Sequence, residues 1–271
     1  MDIYSYIPDE DYAVYDGFLS FLGMYEDRRR ITNYRRCMKR YRHRIKNGVV
    51  IEAGAGFGIF TEYMLKLGAK KVYAVEENEL MIKILKNKFR DNAQVVVVEG
   101  LIEDFEPDEK IDFLVHDFWG ALLYDENLIS LERLKFSPGI IFPNRGELRY
   151  GVFDLEAFND KIITREILDI LEGILVSDLI PTRELPLDRI AYTWSASEGL
   201  RKIDSKLPQK GDVLVFGIKI FHDGDEVCRT HFCYNWPYIW TKKTGRKFNL
   251  EFFEREPGYI EAKIDFLSSD K

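Results

Sequence analysis

Cysteine and histidine are scarce: Cys37, Cys228 and Cys233, with histidines at 43, 116, 222 and 231, are all that 271 residues contain. Their spacing fits no metal-ligand pattern, and the odd cysteine count supports no disulfide framework. We therefore expect no metal site, no disulfide frame and a reducing, cytoplasmic compartment. The chain also lacks a run of eighteen apolar residues and a charged-then-apolar leader at its start, so we expect a soluble, unprocessed protein with no membrane partner. Internal repeats and low-complexity segments are absent as well. With 46% hydrophobic and 31% charged residues, the chain can bury a real core in one large domain or two modest ones.

The net charge of −7 argues mildly against general nucleic-acid binding and mildly for a cationic partner. That average hides an asymmetry. Residues 28–46 hold ten Lys/Arg and no acid, so the remaining 29 basic and 46 acidic residues leave −17 elsewhere. A solvated helical face and a phosphate-contacting patch are both open readings of this stretch. The second keeps an RNA partner in view.

Residues 11–46 show aromatic and aliphatic side chains at helical spacing, and Asn47-Gly48 breaks the pattern. From 49 onward, short β-branched runs at 49–51, 71–75, 95–98, 111–115 and 139–142 alternate with helical periods at 60–67 and 79–87. Alternation of that kind predicts an α/β, doubly wound, Rossmann-like domain with a parallel sheet. After Pro143 the grammar changes. A helical stretch near 165–175 is followed by aromatic, β-branched runs with turns at Asp223-Gly224 and Thr244-Gly245. We expect three parts: an N-terminal helical lid segment at 1–46, the Rossmann-like domain at 47–145, and a mostly antiparallel, barrel-like β domain at 146–271.

The sharpest local feature is E-A-G-A-G-F-G at 52–58. It places Glu52 at the end of a strand and Gly54, Gly56 and Gly58 in a loop that opens into a helix. Such a loop presents backbone N–H groups to a ligand, and glycine permits the close approach. A dinucleotide fingerprint would put its third glycine at 59, where Ile59 stands. Alternate glycines favour S-adenosyl-L-methionine over a nicotinamide cofactor. Glu76 ends the next strand, where a carboxylate accepts hydrogen bonds from both hydroxyls of a ribose. Ile102 and Glu103 follow a later strand and offer an adenine ring an apolar face and an acceptor. For Glu103, a plain surface acid is the competing reading.

At this point the chain resembles the protein arginine methyltransferases. The stretch G-A-K-K-V-Y-A-V-E at 68–76 is similar to the family's segment leading to its ribose-binding acid, and R-I-T-N-Y at 30–34 resembles R-T-x-x-Y. The resemblance implies that Arg30 contacts the cofactor carboxylate. It also implies that Asp27 and Met24 are active-site residues and that Tyr15 belongs to a lid helix motif whose first tyrosine is here Asp11. H-D-F-W-G at 116–120 with Glu126 resembles the family's two-acid substrate loop, with Asp117 in place of the first glutamate. T-H-F at 230–232 resembles the T-H-W loop, and 138–143 resembles the crossover into a β-barrel.

What the family implies is chemistry on arginine in a protein or peptide. Methyl transfer from a sulfonium is an in-line displacement governed by approach geometry and electrostatics. A guanidinium is a delocalised cation with almost no free lone pair, and two carboxylates can fix its plane and draw charge from the attacking nitrogen. Asp117 and Glu126 are the candidate clamp, with His231 accepting a proton or pairing with Asp27. Outside that frame, Asp117 reads as a cap and Glu126 as a helix-surface acid. An RNA or small-molecule methyltransferase and a catalytically idle binding scaffold are the alternative functions. The family usually dimerises through an arm in the β domain; residues 155–188 are the candidate for it in a homodimer, and a helix at 162–179 packed within its own subunit is the competing reading.

Overall fold

A computed structural model describes residues 9–158, 162–177, 183–256 and 259–267. It opens with three helices, α1 (Asp9–Glu26), α2 (Arg28–Arg40) and α3 (Arg42–Ile45). In α2 the buried positions Arg30, Tyr34, Cys37 and Met38 recur at helical spacing, so one stripe faces the core while most of the arginines stay in water.

Five parallel strands follow: β1 (Val49–Ala53), β2 (Lys71–Glu76), β3 (Val95–Glu99), β4 (Phe113–His116) and β5 (Ile141–Phe142), in the order β3-β2-β1-β4-β5. Every residue of the central strand β1 is buried, with Val50 opposite Val72 on one side and Phe113 on the other. That burial explains why 49–51 reads as a continuous apolar run and not as an alternation. Helices α4 (Ile59–Lys66) and α5 (Glu79–Phe89) complete the β-α-β units. The sheet order reverses around β1 and β4, so the crevice at the carboxyl ends of these strands is where a ligand binds in such folds.

The described residues of 1–117 and 134–142 form one compact unit, and those of 118–133 and 143–271 form a second. The sequence pattern predicts a first domain unbroken to 145, whereas 118–133, which includes α6 (Leu128–Glu132), packs within the second unit. The reason is aromatic. Trp119 meets Trp194 edge to face at 5.3 Å, both fully buried, and the Gly146 α-carbon leaves room for Trp119 and Leu123 that a Cβ would fill at 2.5 Å.

The second unit is antiparallel, as expected. Its seven-stranded sheet has the order β7-β12-β10-β6-β8-β9, with β11 also on β10. These strands are β6 (Arg145–Phe153), β7 (Val176–Ser177), β8 (Arg189–Ser195), β9 (Gly199–Lys202), β10 (Val213–His222), β11 (Asp225–Arg229) and β12 (Ile239–Lys242). The β10–β11 hairpin turns at Asp223 (φ 49°) and Gly224 (φ 88°), the two left-handed residues that such a tight turn demands. Thr244-Gly245 joins strands of different sheets: among the described residues, β13 (Lys247–Glu256) and β14 (Tyr259–Leu267) form a two-stranded sheet of their own. Helix α7 (Arg165–Ile170) is shorter than its periodicity suggests; Gly173, at φ 76°, ends the helical path.

Candidate functional site

The glycine loop adopts the conformation its spacing implies. Gly54, Gly56 and Gly58 have φ of 65°, 49° and 69°, all left-handed, which costs a side-chain-bearing residue about 1 kcal/mol or more at each position. A Cβ on Gly58 would come within 2.7 Å of Phe89 and 2.9 Å of Leu85, so the loop is also pressed against α5.

Two acids fix this loop from either side. Glu76 is buried at the end of β2; one carboxylate oxygen accepts from the Gly56 amide at 2.7 Å and the other from the amides of Glu77 (3.0 Å) and Asn78 (2.8 Å). Gly56 and Glu76, twenty residues apart in sequence, are thus in direct contact. Glu52 turns the other way. Its carboxylate accepts from Phe60 N at 3.0 Å and Thr61 N at 2.5 Å, at the N-terminus of α4. Glu52 therefore supports the loop from within. Burial pushes its pKa up to about 7, against the lowering effect of the Thr61 and Phe60 hydrogen bonds and of Lys88.

Ile102 is buried at the start of a single 3₁₀ turn that carries Glu103. Burial raises the Glu77 pKa, and the charges of Glu76 and Glu103 raise it further. Three carboxylates therefore share one field on this side of the loop.

A second cluster lies along α2. Asp27 caps the helix, its Oδ1 accepting from Arg30 N at 3.1 Å. Arg30 is buried; its guanidinium donates to the Met24 carbonyl oxygen at 3.1 Å and pairs with Asp117 Oδ2 at 3.1 Å. Tyr34 donates its hydroxyl to Asp117 Oδ1 at 2.7 Å. Met24, Asp27, Arg30 and Asp117, drawn from two distant stretches, are thus brought together, and Met24 takes part through its backbone. Burial pushes the Asp117 carboxyl above its ordinary value, while Arg30 and Tyr34 pull it back down. Tyr34 is the participant that the motifs did not single out, although it ends the R-I-T-N-Y stretch. The side chain of Tyr15 lies outside the described residues.

Glu126 and His231 belong to the second unit. Glu126 is exposed, in a loop whose Leu123 is left-handed (φ 76°). Asp125, next to it, is the acid that shapes this loop: Oδ1 accepts from Leu122 N at 2.7 Å, and burial raises its pKa to about 6. Glu132 then accepts from both Tyr124 Oη and Trp194 Nε1 at 2.9 Å. His231 sits at φ 71° beside Tyr238, their rings 6.2 Å apart. The preceding Thr230 anchors the loop to β10, its hydroxyl accepting from Ile218 N at 2.9 Å.

The expectation of no disulfide fails here. Cys228 and Cys233 form a disulfide that closes a short loop around Thr230, His231 and Phe232, with Cα atoms 6.5 Å apart, while Cys37 is buried and takes no part in a disulfide. An odd total does not exclude a local pair. Among the described residues, no group of three His, Cys, Asp or Glu side chains is arranged to hold a metal ion. No described helix is long and apolar enough to cross a membrane.

A glycine loop held by an acid at the end of the next strand, on a sheet ordered β3-β2-β1-β4-β5, defines a methyltransferase-type Rossmann fold. The pattern of FtsJ-like methyltransferases matches residues 34–157. In sequence the chain is similar to the protein arginine methyltransferases. It is 31% identical over 155 residues to a histone-arginine methyltransferase CARMER of Aedes aegypti, a match covering 54% of this chain and 26% of that protein. It is 29% identical over 134 residues to a probable protein arginine N-methyltransferase 6 of Arabidopsis thaliana, covering 46% and 30%. The aligned part is thus about a quarter to a third of these relatives' length. Solved structures extend the likeness to both units. A Trypanosoma brucei PRMT1 enzyme–prozyme heterotetrameric complex with AdoHcy superposes with a TM-score of 0.62 at 15% identity, covering 92% of this chain and 93% of that one. A PRMT6 structure gives 0.68 at 12%, covering 94% and 100%. At such identities the structures establish the two-part fold.

Proposed function

We propose that the chain is an S-adenosylmethionine-dependent N-methyltransferase whose acceptor is the guanidinium of arginine in a protein or peptide. The observation that carries the cofactor reading is the 2.7 Å contact between Glu76 and the Gly56 amide, which fixes three left-handed glycines beside an acid suited to a ribose. Ile102 and Glu103 would face the adenine, and Arg30 the cofactor's carboxylate. When bound, the cofactor supplies an electrophilic methyl group on a sulfonium.

The protein's part is orientation and charge. Asp117 and Glu126 would clamp the acceptor guanidinium, holding its plane and drawing positive charge from the nitrogen that attacks. His231 and Asp27 would pair to close the site or take the released proton. Asp117 already grips one guanidinium, that of Arg30, through an oxygen it could offer to an acceptor. This same engagement favours the second reading, in which the acceptor is a small molecule or RNA and Asp117 is a positioning group. A cofactor-binding scaffold without activity is the third.

A second copy of the chain is the proposed partner in assembly. Ile162, Ile167, Ile170 and Ile174 are exposed around α7, inside the segment expected to form a dimerisation arm. We place the protein in the cytoplasm on its composition, although the Cys228–Cys233 bond weighs the other way.

Titration with S-adenosylmethionine should give saturable binding that Gly56→Val or Glu76→Ala weakens; absence of binding sinks every enzymatic reading. Labelled cofactor offered with Arg-rich peptides and, separately, with total RNA then sorts the acceptors. Label confined to RNA refutes the arginine proposal. With a labelled peptide, Glu126→Gln should abolish transfer at nearly unchanged cofactor affinity.

A further inference from the structure

The outer face of α2 and α3 has no role in the site described above. Arg28, Arg36, Lys39, Arg42, Arg44 and Lys46 are all exposed there, and among the described residues none of the six meets a carboxylate. The next acid in the chain is Glu52, which is buried and turned onto α4. Six unneutralised cations on about 25–30 Å of helical path repel one another, an arrangement that an anionic partner relieves. The rest of the chain is strongly acidic, so the face is a local feature and not a consequence of overall charge.

The surroundings of these cations select among anionic partners. A protein interface needs an apolar or aromatic anchor at its centre, and no large hydrophobic residue between 28 and 46 is exposed. Membrane docking by a basic helix needs an apolar face free to enter the lipid, whereas Tyr34, Cys37 and Met38 of α2 are sealed in the core. Stacking of unpaired bases needs exposed aromatics, which this face also lacks. What remains is recognition of closely spaced phosphates by charge alone, and four of the six cations are arginines, whose forked donors suit phosphate oxygens.

We propose that this face of α2 and α3 is a docking surface for the phosphodiester backbone of a nucleic-acid duplex, read as charge and without regard to sequence. The surface is independent of the methyltransferase reading: it needs neither cofactor nor acceptor. It lies on the helix whose opposite stripe carries Arg30, so the two faces can be tested separately.

The test is fluorescence anisotropy of the full chain with labelled RNA and DNA duplexes of the same sequence, over a salt series. Both should bind. Six phosphate contacts predict a slope of log K against log salt approaching about −5. Replacing Arg36, Lys39, Arg42 and Arg44 by Gln should cut that slope by about 3 to 4 and weaken binding at least about 100-fold near 0.1 M salt. Lys in place of the three arginines should retain most of the slope. Melting temperature and S-adenosylmethionine titration verify that each variant is folded. No saturable duplex binding at low salt, or a slope unchanged by the four-site Gln variant, overturns the proposal. So does equal binding to polyglutamate of matched charge, which would make the partner an acidic protein. Binding to anionic vesicles in preference to duplexes would assign the face to a lipid surface and overturn it too.

Discussion

Arg30 and Asp117 form a part-buried ion pair at 3.1 Å, joining the helix that precedes the sheet to the residue that follows β4. The resemblance to arginine methyltransferases gave these residues different ligands, a cofactor carboxylate and an acceptor guanidinium. In the structure each supplies the other with that kind of partner. Arg30→Ala leaves the Asp117 carboxylate in a part-buried position with Tyr34 to hold it. We expect a loss of about 2 kcal/mol, below the range for fully buried pairs because the Asp117 side chain keeps 20% of its surface exposed. Urea unfolding checks this, and a loss under about 0.5 kcal/mol, on the order of a surface pair, would remove the structural role.

Glu52 makes the stability depend on pH. Its carboxyl titrates near 7 in the folded chain against 4.5 for the ordinary group. The folded state therefore holds a proton that the unfolded state has released, and stability falls as pH rises from about 4.5 to about 7. At about 1.4 kcal/mol per unit, up to about 3 kcal/mol is lost across that window and nothing more above it. Glu52→Gln should flatten this part of the profile. Denaturation midpoints at about pH 5, 6, 7 and 8 that run parallel in both proteins would contradict the assignment.

The glycine loop predicts an order of damage. Gly58→Ala combines a left-handed backbone with collisions against Phe89 and Leu85, and should cost about 2–4 kcal/mol. Gly56→Ala has the same backbone strain but, among the described residues, meets only Phe21, at 3.4 Å, so it should cost about 1–2 kcal/mol. Melting curves reverse this inference if Gly56→Ala proves the worse.

Trp194 holds the segment that carries Glu126. Trp194→Phe keeps an aromatic face for Trp119 but removes the donor to Glu132. Acceptor turnover should fall while S-adenosylmethionine affinity, which we assign to residues of the other unit, stays level. Parallel losses in both would show a general unfolding instead.

The Cys228–Cys233 bond is checked by counting thiols. Denatured, unreduced protein should take up one alkylating group, at Cys37, and reduced protein three. Closing so short a loop is worth about 2 kcal/mol on the chain-entropy account, so Cys228→Ser should lower stability by about that amount. Three reactive thiols without reductant would show the pair to be reduced.

Local rules make β1, the glycine loop, α4 and Glu76 legible in the amino-acid sequence, because each depends on neighbours a few residues away. Strand burial gives an apolar run, and only glycine sits comfortably at φ near +60°. The β10–β11 hairpin is legible for the same reason. Sequence could not direct side chains whose partners lie far along the chain. The Glu52 carboxylate, for example, is taken up by the open amides of α4. Asp117 could be matched to a motif, but its two oxygens are engaged by residues 87 and 83 positions earlier, through contacts that exist only once α2 lies against the end of β4. The segment 118–133 packs within the second unit, where Trp119 meets Trp194, 75 residues further on, edge to face in the core. Composition and short-range geometry determined the cofactor loop; the tertiary structure alone decided which acids hold the fold, because that depends on which distant donors reach each carboxylate.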